Sequence, residues 1–520
     1  MPSSKSPISY LLPFLLSLTR SAAAPTLSES PPGDAIPVSP YLNSFSIEFE
    51  NFPLLNLTFM TGNATHPNQF SINLLSNLAK RTGVMPMIRV GGSTQDDAQF
   101  IPSQEEPVIV IGVTNGTDRA GVTIGPSFFS SYGTFPATTY IPGITLAVNG
   151  SEGIETRQAE TAYISQALGN SLEIIEIGNE PDLFQHWNRR PSTWNVTDYV
   201  EEWLNASKVI ESTLTKNDPD LAKNIAFFAP SFAGTDVGDS LNSFAPLAAF
   251  AHGLDSGNNI KVLSGHNYMG SATGAGVTLQ STLMNHTSIV KSISSHVTLA
   301  KELQKYCSAP YVMGETNSLS GGGAAGLTNV FGAALWVVDY TLWQATQNIQ
   351  RVHFHNSATS PYAAWSPSTI PPTTNAPYYG NLMVAATVGL LPDRSISYLD
   401  LGNGDERTSA YTIYSSSKLI SVVILNMIEY LSTSSTARPK STFSVNIPTS
   451  VKGALVERLT APGADALSGV TFGGFSYDYS RAEGKPVLVD AAAALEEVSA
   501  KNGVLSVTLQ DSEGVILHLF

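Results

Sequence analysis

The chain has 520 residues, 42% of them hydrophobic and 13% charged, with a formal net charge of −15 and a pI near 5.0. That length exceeds one typical domain and admits a large barrel plus a smaller unit, while the low charge density excludes extensive disorder. The acidic balance and the lack of clustered Lys and Arg argue against a groove for nucleic acid or a heparan-like polyanion, so no nucleic-acid partner is expected.

The N-terminus has the three regions of a secretory signal in order: Lys5, an apolar run at 8–18, and the small residues Ser21-Ala22-Ala23. Residues 1–23 are therefore expected to be removed and the protein secreted. The apolar run is too short to cross a bilayer, and no later span follows, so no membrane partner is expected. Asn-x-Ser/Thr sequons at Asn56, Asn63, Asn115, Asn149, Asn195, Asn205 and Asn285 agree with secretion. Cys307 is the sole cysteine, so no intrachain disulfide can form and the core must hold the fold. A buried small side chain is the simpler reading of Cys307 than a nucleophile.

Residues 24–43 are rich in Pro and Ser and read as extended. Strand patterns follow at 44–49 (SFSIEF), 85–92 (MPMIRVGG), 140–149, 172–177, 225–232, 262–268 (VLSGHNY), 311–317 (YVMGETN) and 352–356 (VHFHN). Helical patterns lie between and after them, at 70–81, 157–168, 198–215 with Thr197 as N-cap, 240–252, 287–306, 328–346 and 379–388. Strands alternating with helices predict a parallel sheet with helical crossovers, and eight strands is the count of a (β/α)8 TIM barrel, here spanning residues 44–391. After residue 391 short strand-like runs separated by Ser, Gly and Pro predict a smaller C-terminal β-sandwich over 392–520.

The fourth strand ends in LEIIEIGNEPD, where Gly178 and Pro181 bracket Asn179 and Glu180. An apolar strand of this kind is buried on both faces, and its carboxyl end is where barrel enzymes place their chemistry. The seventh strand ends the same way, in Glu315. Two carboxyls on one barrel mouth are the minimum kit for glycoside hydrolysis, one protonated to donate to the leaving oxygen and one ionised to attack the anomeric carbon. No cofactor is needed. His353 and His355 share one strand face, yet no further His or Asp cluster completes a site, so no metal is expected.

This pattern resembles the large clan of retaining glycosidases with glutamates after strands four and seven. The resemblance implies Glu180 as acid/base, Glu315 as nucleophile and Asn179 as a ligand of the sugar 2-hydroxyl. His266-Asn267-Tyr268 matches the clan's His-x-Tyr, which implies that Tyr268 hydrogen-bonds the nucleophile and places His266 in the site. Within the clan the chain resembles glycoside hydrolase family 79, the heparanase and β-glucuronidase family, in its secreted fungal branch. The runs GETNSLSGGG at 314–323, FGAALWVVDYTLWQAT at 331–346, RVHFHNS at 351–357 and APYYGNLM at 376–383 carry that resemblance. The family's β-domain takes in a segment preceding the barrel, which gives residues 24–43 a place. In the family the loop after the nucleophile and a later tyrosine recognise a uronic carboxylate, roles that would fall here to Gly321, Gly322 and Tyr378. Many members carry a tyrosine before the glycines where this chain has Ser320, whose hydroxyl has a shorter reach. The implied substrate is a glycan with a terminal glucuronic or 4-O-methyl-glucuronic acid, arabinogalactan being one source. A neutral-sugar or endo-acting glycosidase of the clan, and a carbohydrate-binding barrel without turnover, are the other readings.

Glu48, at the end of strand one, faces the mouth as a sugar ligand or a structural ion-pair partner. Arg89 reads as the structural partner of a carboxylate. Trp365 in a Pro/Ser-rich loop is a candidate to stack on sugar, and Trp336 and Trp343 read as core. Ser231, in APSFA, lacks the glycines of a nucleophile elbow, which argues against a serine hydrolase.

Overall fold

The computed structural model describes residues 24–53, 67–111, 121–238 and 244–520. The expected leader, the sequons at Asn56, Asn63 and Asn115, and the start of the helix expected at 240 lie outside the described residues.

Eight parallel strands close into a barrel. They are β1 (Asn43–Glu48), β2 (Ile88–Gly91), β3 (Tyr140–Ile144), β4 (Ile174–Ile177), β5 (Ala226–Phe232), β6 (Ile260–Tyr268), β7 (Tyr311–Asn317) and β8 (Val352–Asn356), with β8 pairing back onto β1. The third strand is shorter than its sequence pattern, and Leu146, Ala147 and Val148 lie in the loop beyond it. The surrounding helices are α1 (Gln69–Thr82), α2 (Gly150–Leu168), α3 (Val196–Asn217), α4 (Pro246–Ala251), α5 (His286–Leu303), α6 (Phe331–Thr346) and α7 (Ala376–Val388). Between β2 and β3 the chain builds a three-stranded sheet from 98–100, 108–111 and 121–124, which periodicity did not reveal because its strands have only three or four residues. The N-cap of α3 is Asn195 rather than Thr197: Asn195 Oδ1 accepts from the N–H groups of Thr197 and Asp198, and Asp198 accepts from Asn195 N–H in return. That reciprocal pair satisfies more orphan donors than a threonine cap would.

The barrel interior is layered. Its lower end is plugged by Met87, Ile141, Ile174, Ala226, Phe228, Val262 and Val312. Above the plug lies a polar layer of Ser46, Arg89, Glu176, Ser231 and Ser264, all buried. Outward residues such as Phe45, Ile47, Ile88 and Val90 alternate with these and pack in the core shared with the helices. Cys307 is a buried free thiol, and Trp336 is buried in the core.

After α7 the chain forms β9 (Arg394–Tyr398), β10 (Thr408–Ser415), β11 (Lys418–Asn426), β12 (Lys440–Asn446), β13 (Gly453–Thr460), β14 (Val504–Gln510) and β15 (Glu513–Leu519). The large antiparallel sheet runs β9-β10-β11-β15-β13 and continues into shorter strands, and β12 pairs β14 as a second layer. Phe443, Val445, Leu505 and Val507 of that layer face Val422, Ile424, Val456 and Val515 of the large sheet in one apolar core, a sandwich. The segment before the barrel runs through it: Leu27 lies in this core, and Ile36–Pro37 pairs with β9. Barrel and sandwich lock where His286 on α5 meets Asp339 on α6 at 2.9 Å, stacks on Tyr398 of β9, and Asp339 accepts from Tyr411 of β10 at 2.5 Å.

Candidate active site

The mouth at the carboxyl ends of the strands opens into a cavity of about 720 Å³, lined by both Glu180 and Glu315. One carboxylate oxygen of each lies within 4.8 Å of the other and of a ring nitrogen of His266. The backbone is shaped to bring them there. Glu180 sits in the left-handed region at φ 48°, just before Pro181, and its N–H donates to Ser231 O at 2.9 Å. Gly178 before it has φ +76°, and a Cβ there would lie 2.9 Å from the Leu146 side chain. On β7 one extra residue interrupts the pairing with both neighbours between Met313 and Thr316. Val312 and Gly314 face the barrel interior, so strict alternation would turn Glu315 outward; the bulge turns it into the mouth instead.

Arg89 organises the floor. Its Nε donates to Glu176 at 2.7 Å, Nη1 to Glu315 at 2.6 Å and to Ser46 at 3.0 Å, and Nη2 to Asn179 Oδ1 at 2.8 Å. Tyr268 donates its hydroxyl to the other Glu315 oxygen at 2.7 Å. Burial pushes the Glu315 carboxyl up, but the charges of His355, His266 and Arg89 and the Tyr268 hydrogen bond overcome it and hold the group well below the usual carboxylate range. His266 Nδ1 lies 3.1 Å from Glu180 Oε1, so this histidine contacts the second carboxyl directly.

A second layer fixes the first. Glu48 accepts from Thr94 N–H at 2.9 Å and from its hydroxyl at 2.7 Å, and meets His355 Nε2 at 3.1 Å. Burial favours the neutral acid, yet these partners lower the Glu48 pKa and keep it ionised. His355 bridges onward to Ser46 at 3.0 Å, and the two carboxylates beside it raise its pKa against burial. Asp96 accepts from the N–H groups of Asn179 and Leu146 at 2.6 and 2.7 Å. Asp182 accepts from Ala233 and Gly234 N–H at 3.0 and 2.9 Å, tying the loop after Glu180 to the loop after β5; burial and the charge of Glu180 push its carboxyl up to about 7.

Of the residues singled out from the sequence, Glu48, Glu180, His266, Tyr268, Glu315, Ser320, Gly321 and Gly322 line the cavity. Gly321 and Gly322 have φ +77° and +85°, a backbone that only glycine adopts freely. Ser320 anchors their loop by donating its N–H to Gly270 O at 2.8 Å and accepting from Ala272 N–H at 3.0 Å. Asn179 lies beneath the cavity, 1% exposed, with its Oδ1 turned to Arg89, which leaves its Nδ2 as the group able to meet a sugar hydroxyl.

Two expectations are corrected. Tyr378 is in the helical layer, fully buried, with its hydroxyl donating to Leu74 O at 2.8 Å and accepting from Asn77 at 3.3 Å, so it cannot meet a substrate. Tyr362 is the later tyrosine that lines the cavity. Trp365 is also fully buried, donating Nε1–H to Ser71 at 2.9 Å and packing edge-on against Phe45 at 5.1 Å, so it offers no platform. Trp187 and Leu183, on the loop just after Glu180, line the cavity instead. Both errors have one cause: aromatic residues in a loop or at a helix start carry no sequence signal of which side faces the mouth. His355 enters the site while His353 stays in the barrel floor near Phe45 O. Ser231 is buried, donates its hydroxyl to Glu176 at 2.5 Å and lies 2.9 Å from the Ser264 hydroxyl, a structural role.

Glu180, His266 and Glu315 also form a group close enough to be weighed as a metal site. Arg89 at 2.6 Å from Glu315 already supplies the counter-charge there and would repel a cation. Two carboxyls separated this way across a cavity suit a sugar ring between them: separations near 5 Å accompany retention, whereas inversion needs room for a water.

The chain is similar in sequence and in fold to known glycosidases. Residues 410–516 match the model for the glycosyl hydrolase family 79 C-terminal beta domain. A beta-glucuronidase of Aspergillus niger is 41% identical over 525 residues, covering 96% of this chain and 95% of the relative. A beta-glucuronidase of Neurospora crassa is 39% identical over 499 residues, covering 85% and 86%. Among solved structures, the 4-O-alpha-L-rhamnosyl-beta-D-glucuronidase of Fusarium oxysporum superposes with a TM-score of 0.76 at 24% identity, over 95% of this chain and 99% of that one. A GH51 arabinofuranosidase of Xanthomonas axonopodis pv. citri superposes with a TM-score of 0.59 at 14% identity, over 94% and 97%. At these identities the two superpositions show a shared fold.

Proposed function

The chain belongs to glycoside hydrolase family 79, and on that premise we propose that it is a secreted, retaining exo-β-glucuronidase that removes terminal glucuronic or 4-O-methyl-glucuronic acid from glycans such as arabinogalactan. The observation that carries this reading is the closeness of the Glu180 and Glu315 oxygens, within 4.8 Å, beside a glycine loop that can address a carboxylate. Relatives named beta-glucuronidase at 39–41% identity support the sugar. The N-terminal run with Lys5 and Ser21-Ala22-Ala23 supports secretion.

In this reading Glu180 gives its proton to the glycosidic oxygen while Glu315 attacks C1, and the C1–O bond breaks as the covalent ester forms. Glu180, now a carboxylate, takes a proton from water, whose oxygen attacks C1 and releases Glu315. Arg89 and Tyr268 hold one Glu315 oxygen each, which orients the carboxylate and keeps it ionised. Asn179 Nδ2 meets the 2-hydroxyl. The N–H groups of Gly321 and Gly322, with the hydroxyls of Ser320 and Tyr362, meet the uronic carboxylate as neutral donors, which suits one anionic group in an acidic protein. The aglycone leaves on the Glu180 side, past Leu183 and Trp187.

A panel of aryl β-glycosides tests the reading. Hydrolysis of the glucuronide with the β-anomer as first product is expected. Cleavage of the glucoside but not the glucuronide would reject the sugar, and no turnover of any sugar by folded protein would favour a binding barrel.

A further inference from the structure

The opposite face of the barrel, where the chain enters β7 and β8, carries a second cleft of about 510 Å³. Lys301 from the last turn of α5 and Arg351 just before β8 line it, and no acidic side chain does. Lys301 is exposed. Arg351 is half-buried, and its Nε is fully enclosed without an acceptor. Among the described residues no carboxylate pairs with either cation, and no carbonyl of the neighbouring helix ends accepts from the Arg351 guanidinium.

Arg157 Nε and Arg189 Nη1 are also enclosed without an acceptor, but those two arginines donate through another nitrogen, to the Thr145 and Val148 carbonyls and to Asp97. Arg89 has four acceptors, Arg438 donates to three carbonyls, and Arg458 pairs with two carboxylates. A chain of net charge −15 does not lack carboxylates to offer. Burial pulls the Arg351 pKa down to about 10 with only Tyr41 opposing, so the group still carries its charge at neutral pH without an internal partner. An enclosed charge with unmet donors is destabilising until an anion meets it. Gln304, Gln347 and Gln350 line the same walls, each with one amide N–H committed inside the protein, to Ala309 O, the Thr346 hydroxyl and Asn348 Oδ1, and one left over.

We infer that this cleft is an oxyanion site, in which the Arg351 fork and the Lys301 ammonium hold a carboxylate, sulfate or phosphate group on the face remote from the glutamates. Two sources share that chemistry, a free inorganic oxyanion and a uronate carboxylate on an acidic glycan. The site is independent of which sugar the mouth cleaves.

Calorimetric titration of the full chain at low ionic strength tests it, with inorganic phosphate in one arm and an α-linked oligogalacturonate in the other. Saturable binding is expected, weakened at least tenfold in Arg351→Gln and severalfold in Lys301→Gln. Lys301 is exposed, so its variant keeps the test valid if Arg351→Gln fails to fold. Phosphate binding identifies a free ion as the source; binding of the oligogalacturonate alone identifies the glycan. No saturable binding of either probe to the wild type, or equal binding by wild type and the variants, would overturn the assignment.

Discussion

Arg89 Nη1 donates to Glu315 Oε2 across 2.6 Å inside the barrel, and the same guanidinium holds Glu176 at 2.7 Å. One cation is therefore shared between two buried carboxyl groups while it fixes the position of one of them. Arg89→Met takes the cation from both, leaving Glu176 with the Ser231 hydroxyl and Glu315 with the Tyr268 hydroxyl, and is expected to cost about 3–5 kcal/mol of stability, read by denaturant unfolding. Arg89→Lys should recover little, because a point charge cannot address four acceptors in one plane. A lysine variant with wild-type stability and rate would show that the fork geometry is dispensable.

Glu315→Ala is expected to lower kcat on an aryl glucuronide by on the order of 10⁴-fold or more, since it removes the carboxylate proposed to form the ester. Added azide should restore turnover and yield the α-glycosyl azide. Recovery of the β-azide instead would move the nucleophile role away from Glu315.

The pH profile should report the Tyr268 hydrogen bond. Glu315 must be ionised, and its depressed pKa keeps it so far into acid. Tyr268→Phe removes a donor to the carboxylate, so its pKa rises and the acid limb of kcat/KM moves to higher pH. An acid limb that does not move in Tyr268→Phe would mean that the tyrosine acts elsewhere.

The lock between barrel and sandwich should weaken as pH rises. Asp339 raises the His286 pKa against burial, so the pair stabilises fully below about pH 6.5 and the gain is lost as pH climbs through the higher folded value. Melting temperature is expected to fall across that window, and His286→Gln should flatten the fall. An equal pH dependence in both proteins would assign it to other groups.

Trp187 lines the cavity on the loop after Glu180, braced by the Arg189 guanidinium 5.4 Å from its ring centre. Trp187→Ala should raise KM for a glycan substrate about two- to tenfold with little change for a small aryl glucuronide. A matching rise for both would place the ring against the uronic sugar rather than the aglycone.

The sequence alone carried the barrel, because eight apolar strands spaced by amphipathic helices can bury their faces in few other ways. It also carried Glu180, Glu315 and Tyr268, because their strand-end motifs are local in the chain. It did not carry the short three-stranded sheet before β3, or strand β13, whose mixed burial hides its period. Only the tertiary structure decided that Arg89 serves both Glu176 and Glu315, since those three residues lie on different strands. It also decided that a bulge at Gly314 turns Glu315 inward, and that Tyr362 and Trp187 face the mouth while Tyr378 and Trp365 do not. A side chain's direction at the end of a strand or in a loop depends on register and on what packs behind it, and those are set by residues hundreds of positions away.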